Sequence, residues 1–364
     1  MSGFNYGEAP VEKPPAYRKW PSEGDRTALV DGDLIPYIVG YCIDEEAHFR
    51  LNAQLDHGVP AEETEEYAKA IDHLDEMLND WVQKAGCDSM RVYMTGSTNF
   101  RDRIAFTRKY KDRDGTKPPL FKELRAYLLE KHEAILSEDC EADDLLAMQM
   151  WEENRELEAQ GVPPGSDAHH NLATLVCIST DKDLRMVPGV HYNPHPTKQR
   201  FYNVSKLGDL YPTWEDKVSP KTGKTTRRLK KLEGTGLVWF YAQIIMGDSV
   251  DTYPGLPGVG PAKAYEELSQ CQTEEQMYLR TLELYKAKYK HPHKAVNYRE
   301  EMAGVLELSP YQMMLEQGRL AWMQTRPGEI WRSHSKLPRG TDSRWQGSGD
   351  ELNSEGEYEH NSAD

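Results

Sequence analysis

Glu141-Ala142-Asp143-Asp144 puts three carboxylates into four residues, and apolar Leu145, Leu146, Met148 and Trp151 follow at helical spacing. The pattern predicts a helix whose first turn is crowded with acids and whose next turns are buried. A helix start accounts for one such acid, because negative charge there favours the backbone dipole. Three are harder to keep: like charges this close repel, and burial opposes their ionisation further. A cation among them relieves both strains, and an all-oxygen ligand set suits Mg²⁺ or Mn²⁺.

Short strands frame this helix. Thr27 to Val30 reads as a buried strand ended by Asp31-Gly32-Asp33, and Met90 to Met94 as a second that stops at Thr95-Gly96. Leu172 to Ile178 is a third, nearly all apolar and so covered on both faces, closed by Ser179-Thr180-Asp181-Lys182-Asp183. A helix begins in the acidic stretch from Glu62, with Tyr67, Ile71, Leu74, Leu78, Trp81 and Ala85 on its apolar face and Gly86 as its C-terminal cap. Pro118-Pro119 opens another through about Lys131, and the central acidic helix runs to near Gly161. Alternating strands and helices predict an α/β domain with a largely parallel sheet. Such sheets bind ligands beyond the C-terminal ends of their strands, where Asp31, Asp181 and Asp183 lie.

The net charge of −16 argues against a polyanionic partner until its distribution is considered. Residues 44–80 carry twelve acids against Arg50 and Lys69, and residues 341–364 carry seven against Arg344, which accounts for the whole excess. Residues 101–125 run the other way. Arg101, Arg103, Arg108, Lys109, Lys111, Arg113, Lys117, Lys122 and Arg125 outnumber the acids there, with Phe100, Phe106 and Tyr110 interleaved. Cations alternating with rings suit a single nucleic-acid strand, whose phosphates pair with charge and whose bases stack; a solvated connector is the bland alternative. Residues 191–233 read as an insertion, a hairpin turning at Lys221-Thr222-Gly223-Lys224, with Arg227, Arg228, Lys230 and Lys231 behind the turn. A solvated basic loop and a DNA-contacting flap fit it equally. No run approaches the roughly 20 apolar residues of a membrane helix, and five scattered cysteines without a CxxC pair point to a reducing cytoplasm.

Gly255-Leu256-Pro257-Gly258-Val259-Gly260-Pro261-Ala262-Lys263-Ala264 follows a helix marked by Val238, Tyr241, Ile244 and Ile245. Its glycines let backbone amides approach a phosphate, and Pro261 suits the first turn of a helix whose free N–H groups favour an anion. This is the pattern of a helix–hairpin–helix, which grips a DNA backbone regardless of sequence. Just upstream, Gly247-Asp248-Ser249-Val250-Asp251 adds two acids.

In order, Val-Asp-Gly at Asp31, Tyr-Lys-x-Arg at Tyr110, Lys111 and Arg113, Glu-Ala-Asp-Asp, Ser-Thr-Asp-Lys-Asp, Gly-Asp-x-x-Asp and the hairpin resemble the 5′-nuclease superfamily. That superfamily includes flap endonucleases, the 5′-nuclease domain of bacterial DNA polymerase I and bacteriophage 5′–3′ exonucleases, the last being most similar. The resemblance implies a structure-specific 5′–3′ exonuclease or flap endonuclease. It would act on 5′ ends or flaps of duplex DNA, with RNA–DNA hybrids as a further substrate, in phage replication or DNA degradation within the host cytoplasm. It implies two Mg²⁺ or Mn²⁺ ions, the first held by Asp31, Glu141 and Asp143, the second by Asp181, Asp183 and Asp251, with Asp144 and Asp248 close by. Lys111 and Arg113 would be catalytic. Tyr110 would stack on the base next to the cut, within a basic helical arch containing Arg101, Arg103 and Arg108. Gly255, Gly258, Gly260 and Lys263 would contact DNA, with K⁺ at the hairpin. Two positions depart from the pattern: Gly96 stands where an Asp usually ends the second strand, with Asp33 a candidate substitute, and Arg113 comes one residue early. A non-catalytic DNA-binding scaffold with a decayed metal site is the alternative from another class.

The organisation expected is a polar leader over 1–26 and a catalytic domain over 27–235 with its arch at 97–132. A helical DNA-binding region over 236–332 and a disordered acidic tail over 333–364, a contact for a replication protein, would complete a monomer.

Overall fold

The computed structural model describes residues 25–105, 107–112, 115–197, 200–218, 220–289, 293–296, 298 and 305–332. Most of the expected leader, Arg113 and the expected acidic tail lie outside these residues.

The central sheet is built from strands β1 (Thr27–Asp31), β2 (Ser89–Met94), β3 (Ile135–Leu136), β4 (Leu175–Ile178), β5 (Gly189–Asn193) and β6 (Arg200–Val204), in the order β3-β2-β1-β4-β5-β6. All neighbours pair in parallel except β5 and β6. Successive side chains of a strand face opposite sides. Ala28 and Val30 therefore join one core with Val92, Val176 and Ile178, while Leu29 joins the other with Cys177. The helices α1 (Ile35–Tyr41), α2 (Glu45–Asp56) and α3 (Glu65–Lys84) precede β2. On α3, Leu74, Leu78 and Trp81 are buried in the first core, Thr64 caps the start through the Tyr67 N–H, and Gly86 follows at φ +66°. The short α4 (Phe100–Ile104) and α5 (Phe121–Lys131) lie between β2 and β3. Where the sequence predicts a helical arch, the described residues between these two helices, 107–112 and 115–120, form an irregular strap.

The carboxylate-headed helix is α6 (Ala142–Ala159), and it buries Leu146, Ala147 and Met150 against the second core. The helix α7 (Asp167–Leu172) takes the residue at which the sequence predicts the third strand to begin. Ser166 caps it by accepting from the His169 N–H, so the chain becomes extended only at Leu175. The insertion is also smaller than expected. Its first part supplies β5 and β6 to the main sheet, because Tyr192 and Val190 are buried there. The hairpin proper is β7 (Leu210–Val218) with β8 (Thr225–Gly234), turning where Lys221 to Lys224 predict.

Beyond it come α8 (Gly236–Met246), α9 (Pro261–Leu268), α10 (Glu274–Lys288), the antiparallel pair β9 (His293–Val296) and β10 (Val305–Leu308), and α11 (Pro310–Ala321). The strand pair departs from the helical region expected over 236–332. Among the described residues no helix is long and apolar enough to cross a membrane.

Candidate metal centre and nucleic-acid interface

The order β2-β1-β4 makes the chain leave β1 toward one side and return on the other, which opens a crevice at the strand ends. Asp31 stands there, only 3% exposed, and accepts from the Ser179 hydroxyl at 2.9 Å across the β1–β4 boundary. Ser179 Oγ in turn accepts from the Asp181 N–H, and Asp181 from the Asp183 N–H, so a short ladder of turns fixes both acids of the β4 end. Asp143 lies in the first turn of α6, with Glu141 as its N-cap. Asp251 is carried by the loop between α8 and α9.

These acids act on one another. Burial pushes Asp31 up to about 7, helped by the charges of Asp33 and Asp181. Burial raises Asp143 well above the usual range, with Asp31 and Asp181 adding to it. Asp183 is pushed up to about 7 by burial and by Asp181. Asp251 is raised by burial too, with Glu141 and Asp181 adding while Lys111 offsets part. Glu141 is the exception: burial pushes it up, but Arg101 and Lys111 outweigh that and hold it below the ordinary range. Glu141, Asp31, Asp143, Asp181, Asp183 and Asp251 therefore share one electrostatic field, from four separate stretches of chain.

Among the described residues, however, no three or more His, Cys, Asp or Glu side chains are gathered closely enough to hold an ion as they stand. Besides the Arg101 guanidinium, 3.5 Å from Glu141, the positive charges among these acids include two ammonium groups. Lys111 Nζ is paired with Glu141 and lies 3.8 Å from Asp251, while Lys182 Nζ pairs with Asp248 and lies 3.4 Å from Asp183. The donor set nevertheless fits a divalent cation: it is all oxygen, buried or half-buried, and burial first, with repulsion between neighbouring acids second, makes Asp31, Asp143, Asp183 and Asp251 costly to ionise without one.

Lys111 is placed by a latch. Its backbone adopts φ +47°, rare for a residue with a side chain. Its N–H donates to Asp251 O at 3.2 Å, while the Thr252 hydroxyl donates to Lys109 O at 2.7 Å. The strap is fastened again at Thr107, whose N–H and hydroxyl both donate to the fully buried Glu316 of α11, each at 2.9 Å.

Several expected roles change. Asp144 is fully buried, and its oxygens accept from Arg101 Nη1 and Nη2 and from the N–H groups of Glu141 and Gln324. With its acceptor sites filled, it is a structural carboxylate and not a metal ligand. Arg101, also fully buried, donates further to Leu320 O and Trp322 O, and cannot meet DNA. Tyr110 is 5% exposed and donates its hydroxyl to Glu141 at 3.0 Å, so its ring is packed under the crevice and presents no face to a base. Gly255 is buried at φ +58°, where a Cβ would lie 2.2 Å from Gly247 N, and its N–H donates to Gln317. It makes the turn, and its N–H is already taken and cannot reach a phosphate. Asp248 is nearly buried and accepts from the Val250 N–H besides Lys182, at the margin of the acidic field.

Other expectations fall on open surface. A Cβ at Gly258 or Gly260 would meet nothing within 4 Å, and Gly260 caps α9 with Pro261 in its first turn. Lys263 is tied to Glu266 and Glu267 on α9. Arg108 is exposed, and exposed Arg103 pairs with Asp139. At Gly96 a Cβ would lie 2.2 Å from Ser137 O, so no aspartate fits there. The acid at the end of β2 is Asp33 instead, which accepts from the Thr95 N–H at 3.1 Å and from Arg125 at 2.8 Å. Sequence reasoning passes over Ser179, Lys182 and Gln243, although the first two sit inside a quoted motif. Gln243, buried against Asp183, is the lone amide in the apolar run of α8.

No protein-family model matches the chain. Over 207 residues, 55% of its length, it is 29% identical to DNA polymerase I of Bacillus caldotenax. It spans about a fifth of that relative, the match covering 20% of it. The chain resembles the 5′-nucleases. Among solved structures, a bacteriophage T5 flap endonuclease in a pseudo-enzyme-product complex with DNA and metal ions is 13% identical, with a TM-score of 0.37, covering 71% of this chain and 88% of that one. A T5 5′-exonuclease bound to divalent zinc is 14% identical, with a TM-score of 0.38, covering 71% and 89%. Both scores lie below 0.5, so the functional reading rests on the chain's own residues.

Proposed function

We propose that this 5′-nuclease-like chain hydrolyses phosphodiester bonds at 5′ ends or flaps of duplex DNA with the help of divalent metal ions. The observation that carries the reading is the set of buried, mutually repelling acids from β1, β4, α6 and the α8–α9 loop, met by Lys111. Asp31, Glu141, Asp143, Asp181, Asp183 and Asp251 would hold the ions, Mg²⁺ or Mn²⁺ by the hardness of the ligands. The chemistry such a pair would supply is activation of water and neutralisation of charge on the phosphate oxygens.

The protein's own groups do the rest. Lys111 keeps its proton, since Glu141 and Asp251 more than offset the effect of burial. Its ammonium, shared between those two acids, is the group that would pass to the scissile phosphate and balance charge developing there. Tyr110 steadies Glu141 from below, and Ser179 and Gln243 orient Asp31 and Asp183. The Gly258–Pro261 turn would bind backbone phosphate at the head of α9. A K⁺ ion at that turn, hybrid substrates and a monomeric state belong to the same proposal.

The test is cleavage of end-labelled duplex and flap DNA with Mg²⁺, alongside Asp181→Ala. Fragments with 5′-phosphate ends, lost in chelator and in the variant, are expected. Cleavage that persists in excess chelator, or none with any divalent ion, refutes the reading. The ammonium groups now among the acids favour one alternative, a DNA-binding scaffold without catalysis. It requires that Mn²⁺ titrated into the protein give no binding isotherm.

A further inference from the structure

The β7–β8 hairpin takes no part in the site above. From Leu210 to Lys231 it carries seven lysines and arginines against Glu215 and Asp216, in a chain whose net charge is −16. Glu215 is spent on Arg228 and Lys230. Lys217, Lys221, Lys224 and Arg227 are exposed and run from the outer strands through the turn. A lone two-stranded ribbon is marginal in water. This one is held against α9, on which β8 packs and where Trp214, midway along β7, meets Tyr265 edge to face at 6.1 Å. Arg227 lies over the Trp214 ring, 5.6 Å from its centroid, so a half-exposed aromatic carries a cation outward.

We propose that this hairpin is a second DNA-binding element, lying along the phosphate backbone of the duplex whose neighbouring phosphates the head of α9 takes. The proposal rests on the nuclease reading only for the identity of the polymer. Geometry supports it: nine residues of β7 reach about 30 Å, close to the roughly 34 Å of one DNA turn. Charge supports it as well, since four cations on one ribbon match a backbone of regularly spaced phosphates.

The test is fluorescence anisotropy of a labelled 30-base-pair duplex titrated with the full chain, in Ca²⁺ to prevent cleavage, from 50 to 200 mM salt. One variant combines Lys217→Gln, Lys221→Gln, Lys224→Gln and Arg227→Gln. Each phosphate contact contributes about 0.9 to the slope of log affinity against log salt. Losing four contacts would shrink the affinity change over that fourfold salt range by about a hundredfold. Lys221→Gln with Lys224→Gln, confined to the turn where folding is not at stake, should remove about half of the slope change. Lys69→Gln, Lys84→Gln and Lys131→Gln together, on α3 and α5, should leave the slope alone. An unchanged slope in the hairpin variant, an equal effect in the control, or an equal effect on single-stranded DNA each overturns the proposal. Wild-type protein that binds duplex steeply yet cuts nothing in Mg²⁺ sinks the nuclease reading and leaves this one standing.

Discussion

Replacing Arg101 with leucine separates two opposed accounts of the basic segment. The sequence places it among DNA contacts; the structure buries it against Asp144, with side chains 1% and 0% exposed. It donates at 2.6 and 2.9 Å to the two carboxylate oxygens and at 3.0 Å to Leu320 O, and it also holds Trp322 O. Leucine fills similar space but leaves Asp144 in the core with only the N–H groups of Glu141 and Gln324. Breaking a buried pair from one side costs about 3–5 kcal/mol, and each orphaned carbonyl adds about 1 kcal/mol. Arg101→Leu should therefore lose about 5–7 kcal/mol, a large part of the ~5–15 kcal/mol that holds a typical protein folded. Urea unfolding followed by tryptophan fluorescence measures it. Adding Asp144→Leu should recover part of the loss, with a coupling of about 2–3 kcal/mol between the two sites. A loss below about 1 kcal/mol, with duplex affinity and its salt slope reduced instead, would put Arg101 on the surface and refute the assignment.

Lys111→Ala should slow cleavage about 10²–10³-fold while duplex affinity in Ca²⁺ stays within a few fold; single-turnover rates beside binding isotherms decide it, and an unchanged rate removes Lys111 from the chemistry. Asp31 and Asp183 have folded pKa values raised to about 7, against about 4 for an unfolded carboxylate. The stability they lend is thus complete below about pH 4 and is lost as pH rises through 7. In chelator the melting temperature should fall between pH 5 and 8, Asp183→Asn should flatten that fall, and Mn²⁺ should raise the melting temperature more at pH 8 than at pH 5. A metal-free melting temperature that climbs over this range would contradict the crowding of the acids. Gly96→Asp should cost about 1–3 kcal/mol by overpacking against Ser137 O and should not strengthen metal binding; calorimetric titration that finds tighter Mn²⁺ would reverse that view.

What is legible in the sequence follows from short-range rules. The apolar run ending at Asp31, the face of α3 from Tyr67 to Trp81 and the acids heading α6 each need only periodicity and a terminus. The parallel sheet follows from their alternation, and the strand-end rule then brings Asp31, Asp181 and Asp183 together. The errors share another cause. Arg101, Asp144 and Tyr110 look like surface chemistry because charge and hydroxyls belong outside by default, and their burial depends on partners far along the chain, Leu320 and Asp251 among them. Gly255 reads as a ligand contact, although its partner Gly247 lies only eight positions away; the close approach of two backbones leaves no trace in composition. The strand pair β5–β6 hides within an apparent insertion because a partly polar edge strand resembles a loop.

The fastening of the strap to Glu316 has a consequence for how the protein is made. Thr107 finds that carboxylate 209 residues downstream, and Arg101 needs carbonyls later still. On the ribosome, the sheet and the acids of β1, α6 and β4 can assemble while α11 has yet to be translated. Asp251 and Thr252 can latch the lysine-bearing segment before then, but Thr107 and Arg101 cannot be fastened until α11 emerges, so a nascent chain would carry the acidic crevice before the segment beside it is fully anchored.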